Sequence, residues 1–166
     1  MITPQYAVTM AKYNTWQNSQ LLDVVEVMDH GDLAQDRGAF FGSILGTLNH
    51  LLWGDLLWLA RFDKARQAPE GAHLTFCADG PAWCEGRRRC DQAIEAWAHA
   101  LEPGQLEGDL LWYSGALQDD FKKPMRECVV HFFNHQTHHR GQVHAMLTAA
   151  GQNAPVSDLV FMSESI

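Results

Sequence analysis

Residues 44–62 read Ile44-Leu-Gly-Thr-Leu-Asn49-His50-Leu-Leu-Trp53-Gly54-Asp55-Leu-Leu-Trp58-Leu-Ala-Arg61-Phe62 and hold the longest apolar stretch of the chain. Ile44, Leu45, Leu48, Leu51, Leu52, Leu56 and Leu59 make one broad apolar face of a helix, and Trp53, Leu57 and Trp58 carry apolar character around the cylinder. A helix apolar over so much of its circumference is a buried one, and the expected span runs from between Phe40 and Ser43 to about Asp63. Gly54 and Asp55 interrupt the run, which is too short to span a bilayer. A buried helix needs other helices around it. Upstream, Thr3-Pro4 supplies an N-cap and a first-turn proline, and Tyr6, Met10, Tyr13, Leu21, Val24 and Met28 continue an amphipathic pattern to about Asp29, where His30-Gly31-Asp32 ends it. Downstream, Gln67 to Gly80 reads as a loop, and Pro81 opens a third helix reaching Leu101, stopped by Pro103-Gly104. Leu110–Tyr113 and Asp119–Lys123 suit a short β-hairpin across Ser114-Gly115. A fourth long helix follows Pro124 and ends at Gly151, leaving Pro155–Ile166 as an extended surface tail. These elements predict an all-α, up-down-down-up four-helix bundle with a short hairpin before the last helix, in a single domain over residues 1–166.

The chain has 166 residues, with 12 basic against 20 acidic side chains and a net charge of −8. That balance disfavours nucleic acid, whose phosphates need a basic surface. Arg87-Arg88-Arg89, the one basic run, reads as a solvated helix face. Hydrophobic residues make up 46%, ordinary for a globular protein and too much for a disordered chain. Four cysteines (Cys77, Cys84, Cys90, Cys128) without a Cys-x-x-Cys pair form neither a disulfide scaffold nor a zinc ribbon. With no basic-then-apolar leader at the N-terminus, the expectation is a soluble cytoplasmic protein without a membrane partner.

Histidine is the unusual residue: nine in all, five of them within 131–144. At about 100° per residue, His131, His135, His138, His139 and Gln142 fall on one face of the last helix, and His144 points the opposite way. Histidines four apart can hold one metal ion together, but catalytic zinc-type sites take three protein ligands, so a third must come from elsewhere. His30 at a helix end, His73 in a loop and His99 on a surface stretch are poor candidates. His50 sits inside the most buried helix, flanked at i−4 and i+4 by Gly46 and Gly54. Each glycine costs about 1 kcal/mol against alanine in a helix, so the pair suggests cleared space around His50, for a close helix contact or for a cavity. Asp55 projects about 140° away from His50 and reads as structural; Asp23 and Glu26 read as a solvated face. The missing glutamate of a His-Glu-x-x-His pattern argues against peptide hydrolysis by that device.

The run Asn49-His50-Leu-Leu-Trp53-Gly54-Asp55, followed by Asn134-His135-Gln-Thr-His138-His139-Arg140-Gly141-Gln142, resembles the DinB / YfiT-like family of small helical proteins. Tyr13-Asn14-x-Trp16-x-Asn18 and Asp36–Ile44 resemble one bacterial branch of it. The resemblance implies a metal site built from a second-helix histidine and two fourth-helix histidines four apart, here His50, His135 and His139. His138 and His131 then border the site. Many members carry an acidic residue where Gly54 stands here. Three neutral imidazoles favour zinc or nickel, although imidazole also suits copper and iron. Relatives that transfer thiols imply a metal-dependent S-transferase joining a small electrophile to a low-molecular-weight thiol. Metal-dependent hydrolysis and a non-catalytic metal- or ligand-binding stress protein are the alternatives. His138 and Gln142 are the candidate catalytic residues, one for proton movement and one for a polar substrate group. Trp16, Trp83 and Trp97 offer apolar surface for a homodimer.

Overall fold

The structure, a computed structural model, describes residues 2–163. Helix α1 spans Pro4–Val27, and Thr3 caps it by accepting from the Tyr6 amide. A five-residue helix, α2, follows at His30–Ala34. Asp29 caps it, and Leu33 is buried against the core. The sequence pattern ends the first helix at Asp29 and leaves His30–Asp32 as its terminator. Asp29 instead restarts the chain as a helix, because its carboxylate accepts from the Gly31 amide at 2.7 Å. Helix α3 spans Ile44–Phe62 behind the Ser43 cap, α4 spans Gly80–Ala100 behind Asp79, and α5 spans Met125–Ala149. Gly151 takes a left-handed φ of 71° just beyond α5, the backbone state that glycine enters without strain.

The hairpin forms as the sequence predicts. Strands β1 (Asp109–Ser114) and β2 (Asp119–Pro124) pair antiparallel with Trp112 opposite Phe121, and the two rings stack 5.5 Å apart. The molecule is thus mostly helical with one small two-stranded sheet. Among the described residues no helix is long and apolar enough to cross a membrane.

Helix α1 packs along α4, and α3 packs along both α5 and α4. Ile44, Leu48, Leu51, Leu52, Ile94, Val129, Phe132, Phe133 and Leu147 are fully enclosed between them. Two readings of the surface change in three dimensions. Trp83 is fully buried and its indole donates to the Leu48 carbonyl at 3.0 Å, so it offers nothing to a partner. Arg87, far from lying on a solvated face, is also fully buried. It donates to Asp55 at 2.7 Å and pairs with Asp91 at 2.9 Å. Asn14 and Asn18 of α1 donate to the same Asp91 oxygen, at 2.8 and 2.9 Å. Gln136 of α5 donates to Asp55 at 3.0 Å, and Arg140 donates to Asn14. One polar network therefore ties α1, α3, α4 and α5 together, with two carboxylates against two guanidiniums. Burial works against the Arg87 charge, but Asp91, Cys90 and Asp55 hold its pKa above the ordinary value. Arg88 and Arg89 do lie on the surface, paired with Glu26 and Glu85. All four cysteines are free.

The tail beyond Pro155 lies along α1. Tyr13 donates to the Ser157 carbonyl at 2.5 Å and Gln17 to the Val156 carbonyl at 2.6 Å. A short 3-10 turn at Leu159–Phe161 breaks its extended run, and residues 164–166 of the expected tail lie outside the described residues.

Candidate metal centre

Helices α3 and α5 face each other at His50 and His135–His139. The side chains of His50, His135 and His139 each offer a ring nitrogen, and these atoms lie within 4.8 Å of one another. Nε2 of His50 stands 3.2 Å from Nε2 of His135. Nitrogens about 2.0–2.1 Å from a tetrahedral zinc-type ion stand roughly 3.3 Å apart, so this spacing suits two ligands of one ion. Two facing lone pairs also repel unless a proton or a cation lies between them. The residues present therefore fit a metal ion.

All three imidazoles are held neutral, the form a metal requires. Burial, reinforced by His139 and His73, lowers the His50 pKa to about 4. Burial with His139, His50, His131 and His138 lowers His135 to about 3. Burial also lowers His139, with Gln142 opposing it.

Each ring is oriented by a different device. Nδ1 of His139 lies 2.8 Å from Oε1 of Gln142. With the proton on Nδ1, His139 donates to that oxygen and turns Nε2 to the site. The amide nitrogen of Gln142 lies 3.3 Å from Nε2 of His138, which is exposed. Gln142 is thus engaged with a candidate ligand, and His138 stands at the rim. Nδ1 of His50 lies 2.9 Å from Nδ1 of His73, a contact that leaves the Nε2 of His50 free for an ion. The sequence reading sets His73 aside as a loop residue; the structure brings it to the site. Asn49 explains how, since its amide donates to the carbonyls of Leu74 and Cys77 at 3.1 and 2.9 Å and accepts from the Cys77 amide at 3.1 Å. A buried asparagine next to His50 was the available signal that a polar segment folds over this helix. Which segment it binds is a long-range fact.

His135 differs, because its Nδ1 is buried without a partner. Gly54 lies against it. A Cβ there would stand 3.0 Å from Cε1 of His135 and 3.7 Å from Nδ1. Gly54 thus permits the close helix contact that the spacing suggests, and the ring it makes room for is His135. Gly46 serves neither ring, for a Cβ there would meet the Phe41 carbonyl oxygen at 2.6 Å. It admits the preceding loop, whose Phe41 ring stacks on His50 at 4.0 Å and lies 5.4 Å from His139. On the other flank His131 is 5.8 Å from His135 and 5.0 Å from Trp58. A pocket of about 250 Å³ opens there between Trp58, Trp112, Lys123, Glu127, Cys128 and His131.

Asp55 is wholly buried and engaged by Arg87 and Gln136, so it is structural, as expected. His30 lines a separate hollow beside Phe41 and Asn49, and His99 is exposed at the end of α4. His144 lines a cavity on the opposite side of α5.

Fold and site together define a small helical protein with a three-imidazole cluster between its two central helices. The DinB family model matches residues 1–165, and the chain belongs to the DinB family. It is similar to the protein DinB of Bacillus subtilis strain 168, at 23% identity over 165 residues, covering 92% of this chain and 91% of that one. Its fold is similar to the crystal structure of a DinB-like protein from Bacillus cereus ATCC 10987, with a TM-score of 0.65 and 20% identity, covering 87% and 90% of the two chains.

Proposed function

We propose that this protein is a divalent-metal-dependent enzyme built on a single four-helix-bundle domain, with His50, His135 and His139 as the ligands of one zinc- or nickel-type ion. Its reaction is the transfer of a low-molecular-weight thiol to a small electrophile. The observation that carries the metal reading is the convergence of three neutral imidazoles from two helices, two of them at a tetrahedral ligand spacing. When bound, such an ion supplies Lewis acidity and lowers the pKa of a coordinated thiol or water.

The choice of thiol over water rests on what surrounds the ligands. The carboxylate next in sequence, Asp55, is committed to the buried network, and the contacts around the three rings come from Phe41, His73, His131, His138 and Gln142. None of these is a carboxylate base, which favours a thiol whose deprotonation the metal assists by itself; the nearest pocket carboxylate, Glu127, stands beyond His131. Phe41 and Trp58 give the site apolar walls that exclude water from an electrophile. Gln142 orients His139, and His138 at the rim is placed to exchange a proton with solvent.

The test has two parts. Elemental analysis of untagged protein, purified without added metal, should show one transition-metal ion per chain. A panel of thiols with electrophiles should then show metal-dependent turnover, lost on chelation and in His139→Ala. Turnover only of esters or amides with water replaces the transferase reading with hydrolysis, and none in either panel leaves a binding protein.

A further inference from the structure

The His139-Arg140-Gly141-Gln142 motif divides between two faces of α5. His139 and Gln142 belong to the metal centre, which leaves Arg140 and Gly141 without a part in it. Both line a cavity of about 230 Å³ between α1, α5 and the C-terminal tail, walled by Tyr13, Leu21 and Pro155. Arg140 is only 5% exposed, and its guanidinium lies 5.5 Å from the Tyr13 ring centre. A guanidinium has five N–H donors. Among the described residues its one hydrogen-bond partner is Asn14, and no carboxylate touches it directly, Asp55 and Asp91 of the buried network acting on it only at longer range. Arg87, by contrast, holds both Asp55 and Asp91. Arg140 is therefore a buried cation with donor capacity to spare at the wall of a cavity.

Gly141 lies at the mouth of the same cavity. A glycine in a helix interior costs about 1 kcal/mol against alanine. Elsewhere on the helices such a glycine has a reason, as at Gly54 and Gly46, where a Cβ would strike a neighbour. At Gly141 nothing lies within 4 Å of where a Cβ would be. Gly141 is exposed, so packing does not require this glycine and the open space beside it is solvent at the mouth of the cavity. The tail that covers the cavity is fastened by Tyr13 and Gln17 to the carbonyls of Ser157 and Val156.

We propose that this cavity is a binding site for a small organic carboxylate, separate from the metal centre. Arg140 recognises the carboxylate through its spare N–H donors, and Tyr13, Leu21 and Pro155 take a short apolar stem. The volume falls below the roughly 300–1,000 Å³ of sites for drug-sized ligands, which restricts the ligand to a few carbons. A chain of net charge −8 repels anions in general, so a preference for carboxylates reports the local guanidinium.

Isothermal titration calorimetry at fixed ionic strength tests this with propionate, benzoate, the neutral propionamide and inorganic phosphate. At least one of the two carboxylates should bind at least tenfold more tightly than propionamide and more tightly than phosphate, in metal-loaded and metal-free protein alike. Gly141→Leu, which sets a side chain at the exposed mouth of the cavity, should keep the circular dichroism and metal content of the parent and lose carboxylate binding at least tenfold. Equal binding of propionate and its amide overturns the proposal. So does tighter binding of phosphate than of either carboxylate, or undiminished carboxylate binding in folded Gly141→Leu.

Discussion

Three imidazoles in contact behave unlike three separate ones. Replacing His50, His135 or His139 with alanine should remove stoichiometric metal while the helices stay folded, and elemental analysis with circular dichroism reads both. His73→Ala should weaken binding about 10–100-fold, the usual effect of removing the partner that orients a metal-bound histidine, and His73→Gln should restore part of it by again accepting from Nδ1 of His50. Ordinary histidines would lose a metal near pH 6.5. Here the depressed values of His50 and His135, about 4 and about 3, move proton competition well below that. Metal affinity measured by competition titration should therefore change little between pH 7.5 and 6. Gly54→Ala separates site from scaffold. It gains about 1 kcal/mol of helix propensity but sets a methyl 3.0 Å from His135 Cε1. Thermal stability should hold or rise while metal affinity falls.

Among the helices, caps and contacts can be judged independently of the site. Asp79 caps α4 through a 2.9 Å bond from the Ala82 amide, on a helix that supplies no histidine to the centre. Asp79→Ala should cost about 1 kcal/mol in denaturant unfolding and leave metal binding as it was. The loop before α4 is a different case. Its 3-10 turn at His73–Thr75 is held by Asn49 rather than by its own capping bonds. Asn49→Ala should therefore behave like His73→Ala in a metal titration, even though Asn49 touches no candidate ligand atom.

Across the whole molecule, stability depends on the buried network and on acid. Arg87→Ala leaves Asp55 and Asp91 buried without their cation and should cost about 3–5 kcal/mol. Without metal, the lowered histidine pKa values mean that the unfolded chain binds more protons than the folded one below pH 6.5. Their contribution is complete above 6.5 and is lost as pH falls towards 3. Asp91, raised to about 6 by burial despite Arg87, works in the opposite sense, as does the raised Asp55. Four lowered histidines, His131 among them, against two raised carboxylates leave a net loss on acidification. Melting of metal-free protein should fall from pH 7.5 to 5, and His135→Gln should flatten that profile. We also propose a homodimer, supported by the exposed Val27, Phe40 and Leu117 side chains rather than by the buried Trp83. Light scattering near 18.7 kDa at micromolar concentration would count against it.

Local chemistry in the sequence settled the elements and the histidine face. Strand-type runs flanking Ser114-Gly115 placed the hairpin. Periodicity with Pro and Gly punctuation placed the long helices within a few residues, because burying one apolar face imposes a 3.6-residue repeat on a helix. The spacing of His135 and His139 placed both on one face for the same reason, and resemblance to the DinB family singled out His50 as their companion. Only the tertiary structure decided the long-range matters. Helical phase sets Arg87 on the face of Trp83 and Ile94, apart from Arg88 and Arg89, but the partner that makes its burial tolerable, Asp55, lies 32 residues away. Nothing local to His73 joins it to His50, because Asn49 recruits that loop from 25 and 28 residues off. Gly54 and Gly141 look alike in sequence. One faces an imidazole and the other faces open space, and that difference exists only once α3, α5 and the tail are packed together.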